Sequence, residues 1–408
     1  MIRYIYFITC VLFGLAACEE HSNSIANGYD KSNGKFVSAD VSISVGAEQM
    51  GAYYPYIKDR KIGLVVNQTS MVNDKHLVDT LLELEADIAA IFAPEHGFRG
   101  EADAGEHITS GKDPLTGVNI VSIYGKNKKP TKEQLAGIDL MIFDIQDVGA
   151  RFYTYISTLH YIMEACAENN IPLLVLDRPN PNGFFVDGPV LDKNYKSFVG
   201  MHKIPVVHGM TVGEYAKMIN GENWLPDGMQ CELVVIPCVN YTHNMTYDLP
   251  IKPSPNLPNL RSILLYPSIC FFEGTKISIG RGTDKQFQLI GHPELDNYEF
   301  TFTPESKPGA TSPKLQGQKC YGRDLTELSV DYLKGVAKLD LSYLLEAYQA
   351  FPDKEEFFLK SSFFDRLAGS DQLRKQIQAG LSEKEIRASW EPALSNYKRT
   401  RSKYLIYE

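Results

Sequence analysis

The sequence predicts an α/β protein: a Rossmann-like, doubly wound parallel sheet followed by a second, smaller α+β domain. Three observations carry this. From Lys61 to about residue 240, apolar runs of strand length alternate with segments of helical period, the pattern of parallel strands joined by crossover helices. The segment Lys252–Asn259 then holds three prolines in eight residues, which a helix or a central strand would not tolerate. And 408 residues exceed the ~250 to 300 at which a single core stops growing. The expected division is a Rossmann-like domain over 46–245 and a completing domain over 246–408.

The first strand is placed at Ile62–Val66, and a helix at about Lys75 to Glu85. Asp87–Phe92, Val118–Tyr124 and Asp139–Phe143 are further strands, nearly continuous in apolar residues as strands covered on both faces must be. Thr154–Asn169 sets Ile156, Leu159, Met163 and Cys166 at helical spacing, so it should cover one face of the sheet. Strands at Leu173–Leu176 and Leu233–Ile236 flank a helix at Val212–Ile219 whose N-cap is Thr211. Beyond the prolines, strands are expected around Ile277–Ile279, Phe287–Ile290 and Phe300–Thr303. Helices follow near Leu341–Phe351, Asp371–Ala379 and Ser382–Trp390.

The amino terminus has Arg3 ahead of an apolar run, Ile5 to Leu15, that is too short to span a membrane and ends in Leu15-Ala16-Ala17-Cys18. This resembles a bacterial lipoprotein signal. It implies cleavage after residue 17, lipidation of Cys18, a flexible tether over 18–45 and a place in the cell envelope on a lipid anchor. The net charge of −9 gives no broad electrostatic reason to bind nucleic acid. Cys166, Cys231, Cys238, Cys270 and Cys320 have mostly apolar neighbours and no CxxC spacing, so they read as buried small hydrophobes, with one disulfide left open.

Function should lie at the carboxyl ends of the strands, where open α/β sheets keep their ligands. The strand Asp87–Phe92 runs into Pro94-Glu95-His96-Gly97, and because Pro94 cannot extend a central ladder, Glu95 falls on the first turn past the sheet. Asp139–Phe143 runs into Asp144, Gln146, Asp147, Arg151 and Tyr153, and Leu173–Leu176 into Asp177, Arg178, Asn180 and Asn182. A rim so rich in hydrogen-bonding groups suits a sugar with many hydroxyls. No GxGxxG or P-loop follows the first strand, so no nucleotide cofactor is expected, and no cofactor of another kind is implied.

Glycoside hydrolysis requires a protonated carboxyl at the leaving oxygen and a second group that activates water or stabilises charge across the ring. Glu95, between Phe92 and Phe98, is the candidate acid. Glu273, after Phe271 and Phe272 and before Gly274, is the candidate second carboxylate, contributed by the other domain, with Asp144 and Asp147 as rivals for that role. Arg281 between two glycines is suited to a forked grip on a carboxylate; Arg151 and Arg178 compete with it. Tyr153, Asn180, Asn182 and Asn256 are candidates to orient the substrate, along with His96, Gln146 and His208.

Taken together, APEHGFRG, FDIQDVGARFYTY, DRPNPNG with VDGP, PSPNLPN, FFEGT and GRGT closely resemble the bacterial exo-β-N-acetylmuramidase family, over about residue 48 to the carboxyl terminus. The resemblance implies a Rossmann-like domain and a smaller C-terminal domain with a cleft between them. It also implies release of N-acetylmuramic acid from the non-reducing end of peptidoglycan fragments, with Glu95 and Glu273 as the carboxylates. That sugar carries a lactyl carboxylate, which a glycine-flanked arginine would answer. Two other readings stand beside it. A metal-dependent hydrolase would use His96, Asp144, Asp147 and Asp177 as ligands, although no HExxH or paired-histidine spacing is present, and no metal is expected. A non-catalytic lipoprotein that captures muropeptides would need the cleft and the arginine but no acid.

Overall fold

Six parallel strands and one antiparallel edge strand make the central sheet. In chain order they are β1 (Lys61–Val66), β2 (Asp87–Ala93), β3 (Gly111–Lys112), β4 (Asn119–Ser122), β5 (Leu140–Asp144), β6 (Leu173–Leu176) and β7 (Leu233–Ile236). Their order across the sheet is β7-β6-β5-β1-β2-β4-β3, and only the pairing of β3 with β4 is antiparallel. The chain therefore runs outward from β1 to one side and returns to β5 to build the other, which makes the crevice between β1 and β5 the switch point. The structure is a computed structural model that describes residues 42–95, 97–98 and 110–408, and the backbone of one short antiparallel strand pair, Gly28–Asp30 with Lys35–Val37. Cys18 and the proposed signal and most of the tether lie outside the described residues, as do His96 and Arg99.

Residues from Ile43 onward pack as one unit; those up to Ser42 form another. Ser44 exchanges two backbone hydrogen bonds with Val239, at 3.1 and 2.8 Å, so the chain joins this body within the 18–45 stretch expected to be a tether.

Side chains alternate between the two faces of the sheet, except where β2 slips register at Ala89 and Ala90, which both face one core. Val65, Phe92, Met141, Phe143, Leu173 and Val175 enter one core; Leu64, Val66, Ile91, Ala93, Leu140, Ile142, Leu174 and Leu176 enter the other. The second core is closed by α1 (Met50–Ile57) and α2 (Leu77–Glu83). The first is covered by α3 (Tyr155–Asn169) and α4 (Val212–Gly221), and Thr211 and Glu214 close a capping box at the start of α4. The two large cores thus lie on opposite faces of the sheet.

The C-terminal lobe joins the first core. It comprises α5 (Leu260–Ile269), a 3₁₀ segment Cys270–Gly274, an antiparallel sheet of β8 (Leu289–His292), β9 (Phe300–Phe302) and β10 (Cys320–Asp324), and helices α6 (Val330–Val336), α7 (Ser342–Ala350), α8 (Phe363–Ala368), α9 (Gln372–Gln378) and α10 (Glu383–Arg401). Phe271, Phe272, Phe287, Phe351, Phe364, Trp390 and Tyr397 all share that core with Phe143 and Tyr155. Each fully buried phenylalanine contributes about 2–3 kcal/mol of burial. A shared core of this kind fixes one lobe on the other, so the site needs no closing motion to bring its two halves together. Cys166, Cys231, Cys238, Cys270 and Cys320 are free and buried.

Candidate active site

A cavity of about 350 Å³ opens over the carboxyl ends of β2, β4 and β5 and is closed from the other side by the C-terminal lobe. Its walls include Glu95 after β2, Tyr124 after β4, Phe152 to Tyr155 after β5, Ser254, Asn256 and Leu257 of the proline-rich crossing, and Tyr266, Cys270, Glu273, Arg281 and Phe287 beyond it. Glu95 and Glu273, 178 positions apart in sequence, meet in one pocket of a size for one substituted sugar.

Glu95 is presented by a tight turn in which the Gly97 N–H donates to the Pro94 carbonyl at 3.0 Å and Gly97 takes φ 76°, a conformation that favours glycine. The flanking Phe92 and Phe98 are buried. Its carboxylate accepts from the Tyr124 hydroxyl at 2.8 Å on Oε1 and from the Thr154 hydroxyl at 2.8 Å on Oε2, while the Tyr155 hydroxyl donates to its backbone carbonyl at 3.4 Å. Tyr124 and Thr154 were not anticipated as site residues. Tyr124 closes the expected strand Val118–Tyr124, and only the pairing of β4 beside β2 puts it against Glu95.

Glu273 sits on the 3₁₀ turn that continues α5. Arg281 Nε donates to it at 2.5 Å, and the guanidinium also lies 4.9 Å from the centre of the Phe287 ring. Gly282, at φ 77°, has the Glu305 carbonyl 2.4 Å from where a Cβ would stand, so no other residue fits the turn that aims Arg281. Burial pushes the Glu273 carboxyl up, but the Arg281 guanidinium and the Lys314 ammonium together hold it below the usual carboxylate range. Lys314 grips the strand of chain around Glu273, donating to the carbonyls of Phe272, Thr275 and Ile277 at 3.0, 2.7 and 3.0 Å.

Tyr153 and Asn256 line the cavity as expected, though their polar ends hold the frame: the Tyr153 hydroxyl donates to the Pro253 carbonyl at 2.7 Å and the Asn256 amide to the Gly309 carbonyl at 2.7 Å. The other described residues of the expected polar rim are engaged within the fold and do not line this cavity. Arg178 fills the β1/β5 switch point, clamped to Asp144 at 2.5 and 2.9 Å and to the Met71 carbonyl at 2.9 Å. Asp144 is therefore occupied by a guanidinium, and neither residue lines the cavity. The Gln146 amide donates to the carbonyls of Asp147 and Pro179. Asp147 accepts from the Gly149 N–H at 2.7 Å, with the fully buried His208 at 3.6 Å, and His208 accepts from the Met210 N–H.

Arg151 is wholly buried and donates to the carbonyls of Pro189, Ile204 and Leu367, the last in α8. Asn180 accepts from the Asn182 N–H and donates to the Met210 carbonyl. Asn182 donates to the Val148 carbonyl at 2.9 Å and to that of Ile263 at 3.1 Å. The second contact has a specific cause: Pro267, inside α5, has no N–H for the Ile263 carbonyl four residues earlier, and Asn182 supplies one from the sheet. Asn182 and Arg151 thus fasten the C-terminal lobe that carries Glu273. Of the metal ligands weighed, Asp177 accepts from Thr211, Tyr407 and the Gly213 N–H, and among the described residues no three acidic, histidine or cysteine side chains cluster as a metal would require.

Comparison with known proteins bears on this arrangement directly. The family model described as the N-terminal part of the exo-β-N-acetylmuramidase NamZ matches residues 62–261, and the one for its C-terminal part matches residues 264–407. The peptidoglycan β-N-acetylmuramidase NamZ of Bacillus subtilis is 42% identical over 373 residues, which cover 87% of this chain and 89% of that protein. A crystal structure of a DUF1343-family protein from Bacteroides fragilis superposes with a TM-score of 0.84 at 47% identity, covering 90% of this chain and 99% of that one. A second from the same organism gives 0.78 at 29% identity, covering 91% and 100%. On matches that span both lobes and the cavity between them, the chain belongs to the exo-β-N-acetylmuramidase NamZ family.

Proposed function

We infer that this protein is an exo-acting glycoside hydrolase that releases N-acetylmuramic acid from the non-reducing end of peptidoglycan fragments. The observation that carries this reading is the convergence of Glu95, Glu273 and Arg281 on one sugar-sized cavity in a chain of this family. The two acids sit in different surroundings, which sorts their roles. Glu273, kept ionised by two cations, is suited to face the positive charge that develops at the anomeric carbon. The proton for the glycosidic oxygen then falls to Glu95, whose oxygens are aligned by two neutral hydroxyls. As the bond between C1 and that oxygen breaks, the leaving saccharide takes the Glu95 proton; water adds its oxygen to C1 and returns a proton to a carboxylate. Asp144 and Asp147, sealed beneath the rim, are not available as the second acid.

Paired chromogenic glycosides test the reading. Purified protein should cleave the N-acetylmuramic acid glycoside and leave the N-acetylglucosamine glycoside intact. Cleavage of neither, with retained binding of muramyl fragments, would favour a capture protein instead.

The lipid anchor is part of the same proposal and rests on Leu15-Ala16-Ala17-Cys18. A Cys18→Ser variant should leave the membrane fraction, and unchanged fractionation would remove the anchor.

A further inference from the structure

The segment Tyr124–Pro130 after β4 carries Lys126, Lys128 and Lys129. Its first residue touches the proposed acid, the Tyr124 hydroxyl donating to Glu95 at 2.8 Å. Lys129 ties the segment to α3 through Glu164 at 2.7 Å and Glu168 at 2.8 Å, so the loop is held in place. Lys128 Nζ stands 4.9 Å from the centre of the Phe198 ring, and that ring lines the cavity 6.3 Å from Tyr124. Lys126 is exposed, and among the described residues neither it nor Lys128 meets a carboxylate.

We propose that Lys128 and Lys126 form an anion-binding subsite for the leaving part of the substrate. This rests on the activity inferred above. A proton donor must face the glycosidic oxygen, so the leaving saccharide departs on the Glu95 side, which is the side where this loop stands. Glu273 and Arg281 belong to the opposite lobe. In peptidoglycan the first leaving residue is a neutral N-acetylglucosamine, and the next is again a muramic acid with a carboxylate or a peptide. Lys128 stands beside the cavity-lining Phe198 and Lys126 lies two residues after Tyr124; in a chain of net charge −9, two ammonium groups that meet no carboxylate among the described residues match that second residue in charge. The only cation lining the cavity among the described residues, Arg281, is taken by Glu273. The enzyme should therefore favour fragments long enough to bring a second muramyl anion to the loop.

The test compares a Lys126→Ala/Lys128→Ala double variant with the wild type on two substrates. One is an aryl N-acetylmuramide, which has no anion in its leaving group; the other is the trisaccharide N-acetylmuramyl-N-acetylglucosaminyl-N-acetylmuramic acid. The expected result is a KM on the trisaccharide raised roughly five- to tenfold with kcat unchanged, no change on the aryl glycoside, and a wild-type advantage that fades as ionic strength rises. An unchanged KM on the trisaccharide, or an equal rise on both substrates, overturns the subsite. Failure of the wild type on both substrates would overturn the activity itself, and the subsite with it.

Discussion

Arg281 and Glu273 form an ion pair at 2.5 Å, and through it the arginine expected to grip substrate also governs the charge of the second carboxylate. With the guanidinium present, Glu273 is ionised below its ordinary range. In Arg281→Met, burial would raise its pKa against Lys314 alone. Because the active form is the ionised one, activity is lost as pH falls through that pKa, and the acid limb of the kcat/KM profile should move to higher pH. An acid limb left where it was would show that Glu273 ionisation does not limit the rate.

Glu95→Gln removes the transferable proton and keeps a side chain of similar shape between Tyr124 and Thr154. Turnover of a chromogenic N-acetylmuramide should drop by ~10²- to 10⁴-fold while product binding, followed by calorimetry, is preserved. A variant with wild-type turnover would take Glu95 out of the mechanism.

Tyr124→Phe keeps the ring at the cavity wall and deletes one hydroxyl donor to Glu95. A neutral hydrogen bond is worth ~1 kcal/mol, so kcat should fall roughly fivefold, with KM for an aryl glycoside little changed. A rise in KM with normal kcat would mean that the hydroxyl binds sugar instead of orienting the acid.

Arg151→Met leaves three buried carbonyls, of Pro189, Ile204 and Leu367, without their donor. Unfolding in urea should show a loss of about 3 kcal/mol, with kcat per folded molecule unaffected. Normal stability combined with a raised KM would reinstate Arg151 as a substrate ligand.

Much of the architecture is legible in the chain because the forces that set it are local. Strands covered on both faces must be apolar throughout, which exposes β1, β2, β5, β6 and β7 to inspection, and Thr211 with Glu214 marks the start of α4 by its own capping chemistry. Other elements hide for equally local reasons. Helix α5 starts directly after a run of prolines and contains Pro267, and what makes it possible is Asn182, which lies 81 residues from the carbonyl it satisfies. The long helix α10 runs past Trp390 to Arg401, through Pro392, and so outlasts the segment its apolar spacing marks.

At the site the division is sharper. The sequence by itself determined that Glu95 stands just past a buried strand, since Pro94 ends the ladder and Gly97 turns the chain, and that Arg281 is aimed by glycines. Tertiary structure alone decided which polar groups are consumed by one another: Asp144 by Arg178, Glu273 by Arg281, and Arg151 by carbonyls drawn from both lobes. The physical reason is that a buried charge must find a partner, and the partner's identity depends on which distant segments the shared core presses together.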